Sequence, residues 1–248
     1  MSLVSVIMPY YKKKLYIEDS IKSILNQTYQ KFEIILVNDE KENATREYLK
    51  KLINNDSRIK LINNEKNLGA GASRNKAISF ANGDYLAFCD CDDLWNENKL
   101  ERQLRFMKDS NTDFSFTDYE IINENGKKIG FRKAEKIVKL NKLLKSCDIG
   151  LSTVILSKKF FVDKKFQFAT IKTKEDFVLW IKLLENNVKM LGLNETLTYW
   201  RKTKGSLSSS ALQKLFDGYK VYRLYVRFSV IKSLVYLFIL SINFLLKK

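Results

Sequence analysis

The first 110 residues alternate between strand-like and helix-like patterns, and this alternation limits the fold more than any other feature of the sequence. Apolar runs of strand length cover residues 3–9, 32–37, 59–62 and 85–89. The segments between them carry apolar residues at helical spacing, as Ile17, Ile21 and Ile24 do. Repeated β-α-β units of this kind predict an α/β fold, with a mostly parallel sheet and helices on both of its faces.

Three carboxylates follow the fourth predicted strand directly. Asp90, Asp92 and Asp93 come after the apolar run 85–89. Clustered carboxylates repel one another unless a cation lies among them, and hard oxygen ligands suit Mg²⁺ or Mn²⁺. The carboxyl edge of an open α/β sheet is also where ligands bind. The same residues fit an acidic turn that caps the helix after Asn96, which is the commoner meaning of so short a pattern.

Two other segments are expected beside these carboxylates. Parallel pairing of the first two strands would place the loop after Pro9 next to Asp39. A predicted helix opens with Gly69-Ala70-Gly71 and carries Arg74 one turn later. Free N–H groups at a helix start bind anions, and Arg74 would add a positive charge. Because the third glycine of a dinucleotide-binding motif is missing, close helix packing is an equal alternative.

The second half is less regular. An Asn125-Gly126 pair between residues 113–122 and 128–131 predicts a β-hairpin, and 140–145 and 151–156 predict a short helix and another strand.

A later helix is predicted to begin at Thr173-Lys174-Glu175-Asp176, and its apolar residues, which include Trp180, lie along one side. Thr-x-x-Asp before an apolar run resembles a capping box, so Glu175 or Asp176 could serve only as a helix cap.

Composition excludes several classes of site. The 248 residues contain no histidine, which excludes His-based triads and catalytic zinc. Cys89 and Cys91 are too close for an ordinary disulfide, and Cys147 leaves an odd number, so we expect a reducing compartment. Residues 1–8 lack the features of a signal peptide, which favours a cytoplasmic location.

The net charge of +16 is concentrated at the C-terminal end, where residues 201–248 contain ten Lys or Arg against the single Asp217. Nucleic acid, an anionic membrane and an anionic substrate all suit such charge. No nucleic-acid-binding motif accompanies it, so we expect no nucleic-acid partner. The apolar stretch 233–246 is shorter than the roughly 20 residues of a spanning helix. It predicts amphipathic helices on an anionic membrane surface, with a homodimer interface as the alternative.

Five motifs resemble, in order and spacing, the N-terminal half of family 2 glycosyltransferases with the GT-A fold. They are VSVIMPYY at 4–11, SILNQTY at 23–29, EIILVND at 33–39, GAGASRN at 69–75 and GDYLAFCDCDD at 83–93. In the second half only Glu175-Asp176 with Trp180, and residues 199–208, are similar to the family. The resemblance implies a GT-A domain over residues 1–210, divided into a nucleotide-binding half (1–110) and a smaller, mixed acceptor half (111–210). A basic and apolar membrane-associating tail would then occupy 211–248.

The resemblance also implies roles for individual residues in the donor site. Pro9 and Tyr11 would line the nucleotide, and Asp39 would hydrogen-bond its base. Arg74 would contact the nucleotide end of the donor, and Asp90 would lie near the ribose. Asn38-Asp39-Glu40-Lys41 departs from the Asp-Asp-Gly-Ser that is usual in the family, which affects the expected contacts with the base.

The remaining implied roles concern the metal, the base and the phosphates. Asp92, with Asp90, would hold Mn²⁺ or Mg²⁺, and Asp176 would be the general base. Residues 199–206 would form a basic loop over the diphosphate, in which Arg201 or Lys204 makes the contact. Further candidate contacts with acceptor or diphosphate are Asp93, Trp95, Glu175 and Trp180.

Together these features imply an inverting glycosyltransferase. It would move a sugar from a nucleotide-sugar donor, with UDP-sugars favoured, to a hydroxyl of a glycan or lipid-linked glycan. The expected setting is synthesis of lipopolysaccharide, O-antigen or capsule at the inner face of a bacterial cytoplasmic membrane. Direct transfer to polyprenyl phosphate and a catalytically silent GT-A scaffold are the alternatives.

Overall fold

Four parallel strands form one half of the sheet in the computed structural model, which describes residues 2–53, 56–162, 165–203 and 210–246. The strands are β1 (Val4–Tyr10), β2 (Phe32–Asn38), β3 (Ile59–Asn63) and β4 (Tyr85–Phe88). β1 lies between β2 and β4, and β3 lies outside β2. The crossovers contain α1 (Ile17–Leu25), α2 (Asn43–Ile53) and α3 (Ala70–Ser79). The βαβ prediction is confirmed to within one residue at nearly every strand end.

Alternating side chains of these strands divide the interior into two apolar layers. On β1, Ile7 packs with Ala77 and Ile78 of α3, whereas Val6 and Met8 face the layer that contains α1. This period of two is what a strand buried on both faces requires. Helices therefore cover both faces of the sheet, as predicted.

The second half adds mixed pairing to the sheet. Its strands are β5 (Leu94–Trp95), β6 (Phe114–Ile122), β7 (Lys128–Arg132), β8 (Ile155–Ser157) and β9 (Leu191–Arg201). The order is β3-β2-β1-β4-β8-β6-β9-β5, and β7 pairs with β6 in the predicted hairpin. β8 runs antiparallel to both β4 and β6, so it joins the two halves. The helices are α4 (Lys99–Asp109), α5 (Leu140–Leu143) and α6 (Glu175–Glu185).

Two predictions for this half were incomplete. The strand expected at 151–156 is a 3₁₀ turn at Leu151–Thr153 followed by β8. The long strand β9 was not predicted, because its apolar alternation is interrupted by the polar pair Asn194 and Glu195. β9 pairs in parallel with β6, with register shifts near Asp118.

The C-terminal segment packs on the rest of the chain. It contains α7 (Ala211–Lys220), a π-helical turn (Val221–Tyr225) and α8 (Val230–Leu246). Val221, Tyr222 and Leu240 are buried in the same cluster as Phe177 of α6. Among the residues described by the structure, no helix combines the length and the apolar character needed to cross a membrane.

Candidate active site

The three carboxylates that follow β4 differ in exposure. The side chain of Asp90 is 35% exposed, that of Asp92 is 14% exposed, and Asp93 is 1% exposed as a residue. The turn is closed by a hydrogen bond from the Asp93 N–H to the Asp90 carbonyl (3.0 Å). Asp90 and Asp92 therefore border solvent, whereas Asp93 points into the protein.

Asp92 is held by residues from both ends of the chain. Its Oδ2 lies 2.6 Å from Lys13 Nζ and accepts a hydrogen bond from the Thr203 hydroxyl (3.2 Å). Lys13 also donates to Thr203 Oγ1 (2.5 Å). Burial raises the pKa of the Asp92 carboxyl, Lys13 opposes that rise, and Asp90 adds to it. The site thus already places one positive charge on Asp92, at the point where a cation was predicted.

Asp93 is a structural anchor rather than a ligand-facing group. It accepts hydrogen bonds from the Ser152 hydroxyl (2.5 Å) and from the Arg201 N–H (2.9 Å). Burial, followed by the charges of Asp92 and Asp90, raises the pKa of Asp93 well above its usual range. The Ser152 oxygen in turn accepts the Asp90 N–H (3.1 Å). Asp93 therefore fixes the acidic turn against the 3₁₀ turn and the end of β9.

Arg74 connects the acidic turn to α6. It is 4% exposed, and its two terminal nitrogens bond to Asp90 Oδ1 (2.6 Å) and Glu175 Oε1 (2.5 Å). Its buried Nε has no hydrogen-bond partner among the described residues. Burial raises the pKa of Glu175 to about 7. The positive charge of Arg74 opposes this rise, and the negative charge of Asp176 adds to it. Arg74 thus organises two carboxylates, and the predicted contact with the donor stays a prediction.

Asp176 lies in the first turn of α6, beside this cluster. Its Oδ1 accepts the Phe177 N–H (2.7 Å), and the side chain is partly exposed. Burial raises the pKa of Asp176; Arg74 opposes the rise, and Asp90 adds to it. A carboxylate with a raised pKa, at a solvent-accessible helix start, is suited to accept a proton.

The glycine loop before α3 binds an anion, but that anion is the side chain of Asp39. The N–H groups of Leu68 and Gly69 donate to the Asp39 carboxylate (2.8 and 2.9 Å), as does Asn64 Nδ2 (2.8 Å). Gly69 has φ +85°, a region that favours glycine. A Cβ at Gly71 would lie 2.5 Å from the Ala169 carbonyl oxygen, so this glycine serves close packing. The expected hydrogen bond from Asp39 to a base stays a prediction.

The loop after β1 lies where parallel pairing predicted it. Pro9 is paired with Val37, and the Asp39 N–H donates to the Tyr10 carbonyl (2.9 Å). The Tyr11 side chain is exposed at the same edge. The structure therefore brings Pro9, Tyr11 and Asp39 together, beside the turn that carries Asp90 and Asp92.

Besides Asp93, three predicted contacts are corrected by burial. Trp180 is fully buried and packs edge-on against Phe114 (5.0 Å between ring centres), so it does not face an acceptor. Trp95 is buried too, and its indole N–H donates to the Ser152 carbonyl (2.9 Å). Arg201 is 6% exposed and was expected over the diphosphate.

The guanidinium of Arg201 is instead used inside the protein. It donates to the carbonyl groups of Asp92 (3.0 Å) and Glu124 (3.0 Å) and lies 5.0 Å from the centre of the Tyr16 ring. It therefore ties the acidic turn to the β6–β7 hairpin. Lys204, the other candidate for the diphosphate contact, lies outside the described residues.

Sequence reasoning missed three residues of this site. Lys13 had a signal, because it lies in the loop that parallel pairing places at the acidic edge. Thr203 lies in the segment 199–206 that was predicted near the diphosphate, but its contact with Asp92 was not foreseen. Ser152 had no signal, since a lone hydroxyl is unremarkable until the fold brings it to a carboxylate.

Comparison with known proteins agrees with this architecture. The sequence model of the family described as Glycosyl transferase family 2 matches residues 5–167. A curated relative from Escherichia coli, the UDP-Glc:alpha-D-GlcNAc-diphosphoundecaprenol beta-1,3-glucosyltransferase WfgD, is 40% identical over 86% of this chain and 82% of its own length. A second, from Bacillus subtilis, is the putative teichuronic acid biosynthesis glycosyltransferase TuaG, 35% identical over 93% of this chain and 91% of its own.

Solved structures share the fold. Residues 1–349 of S. aureus TarS, in complex with UDP-GlcNAc, superpose with a TM-score of 0.73 at 23% identity, over 96% of this chain and 70% of that one. The mannosyltransferase PcManGT from Pyrobaculum calidifontis, in complex with GDP-Man and Mn²⁺, gives 0.70 at 15% identity, over 95% and 70%. The mixed sheet is thus that of the GT-A glycosyltransferases, as predicted. On the evidence of the matched family and of these relatives, the chain belongs to glycosyl transferase family 2 and is a sugar transferase.

Proposed function

We propose that this enzyme transfers a hexose from a UDP-sugar to a hydroxyl group of a diphospholipid-linked sugar, with inversion at the transferred carbon. The observation that carries the proposal is the position of Arg74. It bonds to Asp90 of the acidic turn and to Glu175, the residue before Asp176, and so links the proposed base to that turn. Asp176 lies next to Glu175 at the start of α6, close to the residues that we propose bind the nucleoside diphosphate. The name of the relative WfgD states a reaction with the same classes of donor and acceptor, which supports the proposal.

In the proposed reaction Asp176 takes the proton of the acceptor hydroxyl while the hydroxyl oxygen attacks the anomeric carbon of the donor sugar. The new C–O bond forms as the bond from that carbon to the β-phosphate oxygen breaks, and UDP leaves with the electron pair. Because one carboxylate works from the face opposite the leaving group, an α-linked donor gives a β-linked product. Burial helps this step, since the raised pKa of Asp176 makes its carboxylate a stronger base.

The residues of the acidic turn fit a divalent cation. Asp92 and Asp90 supply hard oxygen donors, and the Lys13 ammonium on Asp92 Oδ2 marks a place that accepts positive charge. Within the described ranges no three Asp, Glu or Cys side chains form a group that could hold a metal, so the donor phosphates would complete its coordination. Bound there, Mn²⁺ or Mg²⁺ would neutralise charge on the departing diphosphate.

A steady-state and binding experiment tests the proposed function. UDP affinity is measured by calorimetry with and without Mn²⁺, and transfer from UDP-hexoses to a synthetic α-GlcNAc-diphospholipid is followed. Asp176→Asn should lower kcat by about 10³-fold and leave UDP affinity within about twofold, because it removes only the base. Asp113→Asn is the matched control, since Asp113 is an exposed acid paired with Lys159 away from the site.

Other outcomes would replace the proposal. UDP binding without transfer or hydrolysis for any acceptor would identify a silent scaffold. Transfer to polyprenyl phosphate, but not to the diphospholipid-linked sugar, would identify the alternative enzyme. An α-linked product from an α-linked donor would rule out direct displacement.

We also infer that the C-terminal segment, residues 211–248, holds the enzyme on an anionic membrane at the inner face of the cytoplasmic membrane. Five exposed apolar side chains of α8 lie on one helical stripe. They are Ile231, Leu234, Val235, Phe238 and Ile242, at positions i, i+3, i+4, i+7 and i+11. Arg227 and Lys232 are exposed near its start, where they would meet anionic headgroups. Such a location would bring the active site to a lipid-linked acceptor.

Vesicle flotation tests this inference with the full chain. An Ile231→Glu, Phe238→Glu variant should lose binding to phosphatidylglycerol vesicles, and neither protein should bind phosphatidylcholine vesicles strongly. Val162→Glu, at an exposed apolar residue outside α8, is the control. If the wild type is a dimer by light scattering, ignores vesicles, and becomes a monomer in the double variant, the stripe is a homodimer interface instead.

A further inference from the structure

Asp217, the single acid among residues 201–248, is buried and has no part in the proposed reaction. It lies on α7 and is 1% exposed. Its Oδ2 accepts hydrogen bonds from the Thr173 N–H (2.9 Å), the Thr173 hydroxyl (2.8 Å) and Gln213 Nε2 (2.9 Å). A buried carboxylate satisfied in this way forms strong, directional contacts. Two of these three contacts hold one residue, Thr173.

Thr173 lies just before α6, the helix that carries the proposed base Asp176. It precedes Lys174, the N-cap residue of α6, and Glu175 and Asp176 follow at once. Lys174 has φ +66°, a left-handed conformation that L-residues adopt only where the surroundings impose it. The N-cap side chain makes no capping hydrogen bond. The start of α6 is therefore fixed by contacts from another element, and Asp217 provides them.

Apolar contacts of the π-helical turn that follows α7 also hold the C-terminal segment against α6. The ring of Tyr222 packs edge-on against Phe177, the residue after Asp176, with ring centres 6.3 Å apart. The Tyr222 hydroxyl donates to the Leu144 carbonyl (2.6 Å). Gly218 lies close to α8, because a Cβ there would lie 2.8 Å from Leu237 Cδ1, and it would be in ordinary contact, at 3.5 Å, with Lys174 Cε. A continuous set of contacts thus runs from α8 through α7 to the start of α6.

We propose that Asp217 is a positioning residue for the transfer reaction: by holding Thr173 it fixes the direction in which α6 begins, and so the place of the Asp176 carboxylate. The C-terminal segment then positions the proposed base, whether or not it also binds a membrane. The proposal rests on the proposed function only in taking Asp176 as the base. The hydrogen bonds that carry it are independent of the reaction.

Hydrogen exchange of the full chain gives a test that needs no activity. In Asp217→Ala the amides of Thr173, Phe177 and Val178 should exchange at least about tenfold faster, while the later turns of α6 keep their protection. Asp217→Asn retains an accepting oxygen for Thr173 and should restore most of the protection. Gln213→Ala removes one contact without touching Thr173 and should leave these amides unchanged.

Kinetics of the same variants test the positioning role. Asp217→Ala should lower kcat by about 10- to 100-fold and leave the donor KM unchanged, because a displaced base affects the chemical step. The rate is divided by the concentration of sites that bind UDP, so that unfolded protein is not counted. Asp217→Asn should recover most of that loss. Unchanged exchange at the start of α6, or normal kcat in Asp217→Ala, overturns the proposal. Altered exchange together with a fully active Asp176→Asn would instead overturn the proposed function. The finding that Asp217 fixes the start of α6 would still hold.

Discussion

Lys13 and Asp92 form an ion pair with 2.6 Å between Nζ and Oδ2, in the position that the family resemblance assigns to a metal ion. The two side chains are only 18% and 14% exposed, so the pair is poorly screened by solvent. A divalent cation that binds Asp92 must therefore compete with a charge that belongs to the protein.

Removal of this competing charge should strengthen metal binding in the absence of nucleotide. Lys13→Gln frees Asp92 Oδ2 from its cation, and we expect Mn²⁺ to bind about 3- to 10-fold more tightly by calorimetry. Lys14→Gln is the control, because Lys14 lies over the Tyr48 ring rather than on the acidic turn. Equal Mn²⁺ affinity in Lys13→Gln and wild type would mean that the metal does not use Asp92.

The carboxylate of Glu175 should make stability depend on pH. Its folded pKa is raised to about 7 by burial, above the ordinary value of 4.5, so the folded state binds the proton more tightly than the unfolded state. The stabilising contribution is then fully present below pH 4.5 and is lost as the pH rises through 7. Urea unfolding of wild type and Glu175→Gln at pH 5 and pH 8 measures this effect. The fall in stability between these values should be smaller in Glu175→Gln by up to about 3 kcal/mol.

An equal fall in both proteins would show that Glu175 is ionised throughout, with Arg74 outweighing burial. A lower activity of Glu175→Gln would not bear on this question, because Glu175 neighbours the proposed base, Asp176.

Much of the sheet edge that carries Asp39, Asp90 and Asp92 could be predicted from the sequence, since local patterns determine it. The four parallel strands follow from apolar runs, and parallel pairing alone placed Asp39 beside the loop after Pro9, as found. The same logic brought Asp90 and Asp92 to that edge. These inferences needed only the periodicity of strands and the direction of crossovers.

The errors came from side chains whose environment depends on distant pairing. Trp180 lies on a helix that could turn either face outward, and only packing against Phe114 shows that it is buried. Arg201 ends a strand whose partner, β6, lies about 80 residues earlier in the chain. No local pattern reveals that its guanidinium meets the acidic turn and the hairpin. Asp217 was equally hidden, because a lone acid in a basic segment reads as a surface residue.

Ser152 should matter for stability although it takes no part in the proposed reaction. Its hydroxyl donates to buried Asp93 (2.5 Å) and accepts the Asp90 N–H (3.1 Å). Ser152→Ala leaves one oxygen of a buried carboxylate short of a donor, which should lower the free energy of unfolding by about 1–3 kcal/mol. Denaturant unfolding measures it, and Ser146→Ala, at a serine outside this network, is the control. The double variant with Asp93→Asn should lose less than the sum of the two single changes, because both act on one hydrogen bond.

Arg201 should prove structural, and Lys should not replace it. The planar guanidinium donates to the carbonyls of Asp92 and Glu124 and lies over the Tyr16 ring, which a single ammonium cannot do together. We expect Arg201→Lys to lower the free energy of unfolding by about 1–3 kcal/mol and to leave the affinity for UDP within about threefold. Thermal or urea unfolding and calorimetry measure the two quantities on the same preparation. Arg132→Lys, on the exposed edge strand β7, is the matched control and should change neither. A large loss of UDP affinity at unchanged stability would instead return Arg201 to the diphosphate contact first expected from the sequence.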